Sequence, residues 1–172
     1  MFSPGQVILY KDGPNIISKF IRLIQGNRLT HCAIVIVEDQ RNPYLLEIEN
    51  YTSTVKITKL RDTLHYSNEI YVATNETLYV PRNINRLSAL LKRYDGSKYS
   101  GKAIINAAIN HFFGLFDKKY QYREFLKVTR KFTCASLVAD VLMYISNFKC
   151  ANISLTEPDD FTLVPWKLRR IK

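Results

Sequence analysis

No CxxC pair occurs in this sequence: its three cysteines, Cys32, Cys134 and Cys150, stand far apart and make an odd number. That argues against a disulfide framework and against a cysteine-rich zinc site, and a reducing compartment suits such sparse thiols. Glycine and proline are scarce, six of each in 172 residues, and no Gly/Ser-rich tract divides the chain. A single domain over residues 1–172 is the expectation. Long hydrophobic runs are missing too. The most apolar stretch, Ala103 to Phe116, is interrupted by Asn106, Asn110 and His111, which makes it too short and too polar to span a bilayer. The first residues, MFSPGQVILY, lack a basic segment followed by an apolar one, so no secretory signal is read. The expected location is cytoplasmic or virion-associated.

Acidic residues are few, 15 against 25 lysines and arginines, for a net charge of +10. The basic residues concentrate in Lys118 to Lys131 and in the tail WKLRRIK. Such segments serve as a solvated surface, or attract an anionic membrane or an anionic cell-wall polymer. No nucleic-acid-binding motif accompanies them. With 47% hydrophobic residues, the chain can build a core, and its composition is not that of a disordered chain.

What is present reads as an α+β domain with a mostly antiparallel sheet, or a small barrel, packed against helices. QVILY is a strand between the turns SPG and KDGPN. Residues 15–26 carry a helical stripe of Ile16, Ile17, Phe20, Ile21 and Ile24 that stops at Gly26. HCAIVIVED is a β-branched strand. PYLLEIEN alternates, with Tyr44, Leu46 and Ile48 on one face and Leu45, Glu47 and Glu49 on the other. TVKITKL and EIYVATN are further strands. Helices are predicted over 84–96, 101–116 and 134–147, and EPDDFTLV as a turn leading to an extended tail.

The third of these helices begins at Cys134, with Thr133 as its N-cap. A helix N-terminus offers unpaired N–H groups and a positive dipole end, which favour a thiolate and can supply half of an oxyanion hole. A buried cysteine is also simply a small apolar residue, so this position alone leaves both readings open. A nucleophile needs a base and a group to orient that base. Of the three histidines, His65 lies in a loop-like segment and His111 in mid-helix, whereas His31 opens a strand, where side chains reach a site from rigid support. A tight turn near Gln40 and Arg41 would place Glu47 opposite a residue near Ile34, about one diagonal step from Cys32 and within reach of the His31 end, with Glu49, opposite Cys32 or so and on the same face, as the alternative orienter. Cys32, next to His31 on a strand, should point to the opposite face and be buried and inert.

PGQVILY, THCAIVIV, PYLLEIEN followed by TVKITKL, then SKYS and FTCASLVADVL occur in this order. The order resembles the circularly permuted NlpC-like cysteine hydrolases, papain relatives in which His precedes Cys, with the lecithin:retinol acyltransferase group as a more distant member. The resemblance matches His31 in THCAI, Glu47 in YLLEI and Cys134 in TCASLV, and it prefers Glu47 to Glu49. Ala135 and Ser136 stand where that family has Ser-Glu. Lys98-Tyr99 stands for its proline-tyrosine, and the predicted helix 103–116 is an insertion.

The resemblance implies a cysteine hydrolase that cleaves an amide or ester bond through a Cys134–His31–Glu47 triad and an acyl-enzyme. It implies no cofactor and no metal. The substrate class is a cell-wall peptide or a lipid, and Phe112, Phe113, Leu115 and Phe116 would then cover an acyl groove or form core. Tyr99 and the end of the first strand near Tyr10 are the candidates for a second oxyanion donor. A catalytically silent binding or virion-associated module on the same fold is the alternative.

Overall fold

The computed structural model describes residues 2–11, 29–37, 41–48, 54–78, 80, 92–94, 97–99, 131–150, 152–153 and 156–172. The expected helices over 15–26 and 101–116, most of the one over 84–96, the phenylalanines 112, 113 and 116, His111, Glu49 and the basic run 118–130 lie outside these residues.

The chain enters through the turn Ser3–Gln6, closed by Gln6 N–H donating to the Ser3 carbonyl at 3.2 Å. Gly5 takes a φ of 86° there, a conformation only glycine adopts without strain. A Cβ at Gly5 would also meet Val80 Cγ2 at 2.6 Å. Strand β1 (Val7–Lys11) follows, then β2 (Leu29–Val37), β3 (Tyr44–Ile48) and β4 (Val55–Lys59). A one-turn helix α1 (Leu60–Thr63) and a 3-10 turn (Leu64–Tyr66) lead to β5 (Glu69–Thr74). Lys98–Tyr99 (β6) and Lys131–Phe132 (β7) form a short parallel pair. Helix α2 (Cys134–Ile145), a 3-10 turn (Pro158–Thr162) and β8 (Lys167–Arg170) complete the order.

Six strands form one antiparallel sheet in the order β4-β3-β2-β1-β5-β8. Among the described residues it is an open sheet, with β4 and β8 as its two edges, and it does not close into the small barrel given as the alternative. The β-branched run in β2 explains its central place, since a strand buried on both faces reads as continuous apolar sequence. Lysines 56 and 59 on β4 and 167 on β8 mark the edges, where charge discourages further pairing. Helix α2 packs Leu137, Val138, Val141 and Leu142 onto the face formed by Val7, Leu9, Cys32, Ile34, Leu46 and Ile48. Phe2, Tyr10, Ala33, Leu45, Leu60 and Ile70 cluster on the other face. Among the described residues, no helix is long and apolar enough to cross a membrane.

The β2–β3 ladder pairs Ile34 with Leu46 and Val35 with Leu45, then shifts to Val37 with Tyr44. The extra residue is absorbed near the turn, so the register is one residue tighter over the inner pairs than a two-residue turn would set. Residues 29–33 continue beyond that ladder while staying paired to β1. The start of α2 meets β2 there, and this juxtaposition builds the site.

Candidate active site

Thr133 has the extended backbone of an N-cap, and its Oγ1 accepts from the Ser136 N–H at 3.1 Å. Ser136 Oγ accepts in turn from the Thr133 N–H at 2.8 Å. This reciprocal capping box typically contributes about 1 kcal/mol to a helix start. It accounts for Ser136 at this position: a hydroxyl does here what a glutamate usually does. The pairing of Tyr99 with Phe132 fixes the approach of the chain to the cap. Cys134 is thereby held at the first helical position with 5% of its surface exposed.

His31 lies in β2 opposite Tyr10 of β1. Its Nε2–H donates to Glu47 Oε2 at 2.9 Å. Glu47 is completely buried, and its second oxygen accepts from Thr58 Oγ1 at 2.8 Å and from the Tyr66 hydroxyl at 3.4 Å. Tyr10 and Tyr66 flank the imidazole with ring centroids at 5.2 and 5.9 Å. Both carboxylate oxygens are thus bonded and the ring is clamped. Its other nitrogen, Nδ1, is buried without a conventional hydrogen-bond partner. Cys134 is among the groups that raise the proton affinity of this imidazole.

Burial alone would lower the proton affinity of His31, but the contacts to Cys134 and Glu47 override it and raise the pKa to about 10. Cys134 moves the opposite way. A hydrogen bond from the Cys32 side chain is the largest influence, and with His31 and the Cys32 backbone N–H it holds the thiol well below 9.0 against the opposing effect of burial. Burial also opposes ionisation of Glu47, yet the His31 contact, Thr58 and Lys56 keep its carboxyl below 4.5. The resting arrangement is therefore a thiolate–imidazolium–carboxylate series.

This series sets a pH dependence of stability. The share carried by His31, raised from 6.5 to about 10, is full below 6.5 and is lost as pH rises toward 10. The share carried by Cys134, depressed from 9.0, is full above 9 and is lost as pH falls through its folded value. Between 6.5 and 9, wherever the folded Cys134 is ionised, the two slopes cancel, because folded and unfolded chains each hold one proton on the pair. The expected result is a stability plateau from about pH 6.5 to 9 that falls on both sides. Thermal melts of the wild type minus those of His31→Gln, taken across pH, check it. A difference rising steadily through that window contradicts the ion pair.

The structure brings His31, Glu47 and Cys134 together. Glu49 lies outside the described residues. The backbone of Tyr99 pairs with Phe132, two residues before Cys134. Tyr10 is buried, and its hydroxyl is 2.7 Å from Thr63 Oγ1, which itself donates to the Leu60 carbonyl at 2.7 Å. The Tyr10 proton is thus committed to Thr63 and is not free for an oxyanion. His65 sits in the 3-10 turn, edge-on to Tyr66 at 4.7 Å between centroids.

Cys32 is fully buried on the face opposite His31, as its place on the strand implies. Helix α2 packs on that same face, which puts Cys32 and Cys134 in one buried cluster and lets Cys32 hold the Cys134 thiol down. Thr58 and Tyr66 were not legible as Glu47 partners. Cross-strand pairing of Glu47 with Lys56 puts Thr58 one diagonal step away, which is the signal that points to it.

No family model and no curated protein matches the chain. Among solved structures, the crystal structure of metalloprotein yiiX from Escherichia coli O157:H7, DUF1105, is similar at a TM-score of 0.61 and 15% identity, covering 99% of this chain and 96% of that one. Likeness at that identity concerns the fold alone.

Proposed function

We propose that the chain is a cysteine hydrolase with a permuted NlpC-like, papain-related arrangement, in which Cys134 attacks an amide or ester carbonyl. The observation that carries this reading is the placement of a thiol, at a capped helix N-terminus, against an imidazole whose far nitrogen is held by a buried carboxylate at 2.9 Å. A structural cysteine needs none of these partners. His31 holds the thiol proton and later delivers it to the leaving group. Glu47 fixes the ring and stabilises the imidazolium. The Cys134 N–H, which has no intrahelical acceptor at the first position, faces the developing oxyanion. The thioester is then released to water or to an acceptor.

The structural neighbour's title names a metalloprotein. Among the described residues, no three His, Cys, Asp or Glu side chains are arranged as a group to hold a metal ion.

Competitive labelling with a small haloacetamide near neutral pH tests the nucleophile. Cys134 is expected to react at least ten times faster than Cys32 and Cys150, and a p-nitrophenyl ester should release a burst of product equal to the protein concentration. Labelling at Cys150 first removes Cys134 as nucleophile. Fast labelling without any acylation favours the silent binding module instead.

A further inference from the structure

Two thiols in contact are more than one nucleophile requires. Cys32 on β2 and Cys134 at the start of α2 lie in one buried cluster at the sheet–helix interface, close enough that each thiol shifts the other's proton affinity, Cys134 down and Cys32 up. Cys134 keeps 5% of its surface exposed while Cys32 keeps none. A small oxidant therefore meets Cys134 first, and Cys32 waits behind it. Cys150 is engaged elsewhere, 3.3 Å from Thr156 Oγ1.

We propose that Cys32 is a resolving thiol for Cys134, so that a peroxide converts the pair to a disulfide between β2 and α2 and reversibly switches off the nucleophile. The Cys134 thiolate attacks one peroxide oxygen and the O–O bond breaks. Cys134 becomes a sulfenic acid, and the departing hydroxide takes the His31 proton and leaves as water. Cys32 sulfur then attacks the sulfenic sulfur. The S–O bond breaks, and hydroxide leaves with the Cys32 proton as a second water. Two thiols lose two electrons in total, and one peroxide becomes two waters.

The first step also prepares the second. Burial is the largest influence that holds the Cys32 thiol proton, and the neighbouring thiolate adds to it. Forming the sulfenic acid removes that thiolate, so Cys32 ionises more readily at the moment its attack is needed. Closing the disulfide keeps Cys134 from the irreversible sulfinic state.

The proposal depends on Cys134 being ionised and not on any hydrolase activity, so its failure is separable from that of the function above: one is read by oxidation products, the other by acylation. The whole chain is exposed to a small molar excess of hydrogen peroxide and peptide-mapped without reductant. The expected product is a Cys32–Cys134 linked peptide, with haloacetamide labelling of Cys134 lost in step and restored fully by dithiothreitol. In Cys32→Ser, Cys134 should pass to sulfinic acid, and reductant should not restore labelling. Cys150→Ser should behave as the wild type. A wild-type map with Cys134 as sulfinic acid and Cys32 still free, or with a bridge to Cys150, overturns the proposal. The wild-type map decides the matter even if Cys32→Ser does not fold.

Discussion

Replacing His31 with alanine is expected to slow haloacetamide labelling of Cys134 by at least about 30-fold at pH 7 and to abolish turnover. The magnitude follows from the ionised fraction. An ordinary thiol with a pKa of about 8.5 is only ~3% thiolate at pH 7, whereas one paired with an imidazolium is close to fully ionised. In the variant, Cys32 still donates to the sulfur, but the counter-charge is gone and burial favours the neutral thiol. The same change leaves Glu47 buried with no imidazole, and an uncompensated buried charge costs about 3–5 kcal/mol. His31→Ala is therefore expected to melt early, and the chemistry is read in His31→Gln, which keeps a donor for Glu47 but provides no base. Labelling rates for both variants, with thermal melts, check this. His65→Ala is the control, since His65 touches Tyr66 but not the thiol. Loss of turnover in His65→Ala with an intact fold removes His31 from the role of base.

The second large effect is expected from Glu47→Gln, on the order of 10²- to 10⁴-fold in single-turnover acylation, by analogy with removal of the orienting acid in other triads. Glutamine is nearly isosteric. Its oxygen can accept from His31 Nε2–H, while its amide donates to Thr58 and Tyr66, whose hydroxyls turn to accept. Folding should persist, so the loss reports the charge itself. Without the carboxylate the imidazolium is less stable, His31 titrates lower, and the thiolate loses its partner. The acid limb of the labelling profile should accordingly move to higher pH. Glu49→Gln is made alongside and should have a mild effect. If Glu49→Gln is the crippled variant and Glu47→Gln the mild one, the orienting role belongs to Glu49.

Several parts of this site were legible in the sequence because they are local. The strand at Val7–Lys11, the β-branched strand through Ala33–Val37 and the face alternation of Leu45, Leu46, Glu47 and Ile48 follow from the two-residue period of a strand. The cap at Thr133 and the stripe through Leu137, Val138, Val141 and Leu142 follow from helix-start chemistry and the 3.6-residue period. These fix which residue types sit at a strand mouth and a helix start, and hence which could bear chemistry.

Tertiary structure decided what those residues touch. Alternation assigned Cys32 to the face opposite His31, but which face receives α2 is set by how the whole sheet is covered, and α2 covers the Cys32 side. The same packing brings Cys134 to the point where β2 runs on past β3, so one sulfur meets both neighbours. The open sheet, with β5 on the outer side of β1 instead of beside β4, is likewise a long-range choice. Periodicity says which face a side chain takes; only the packing of distant segments, driven by burial of apolar area that no short window contains, says what stands on that face.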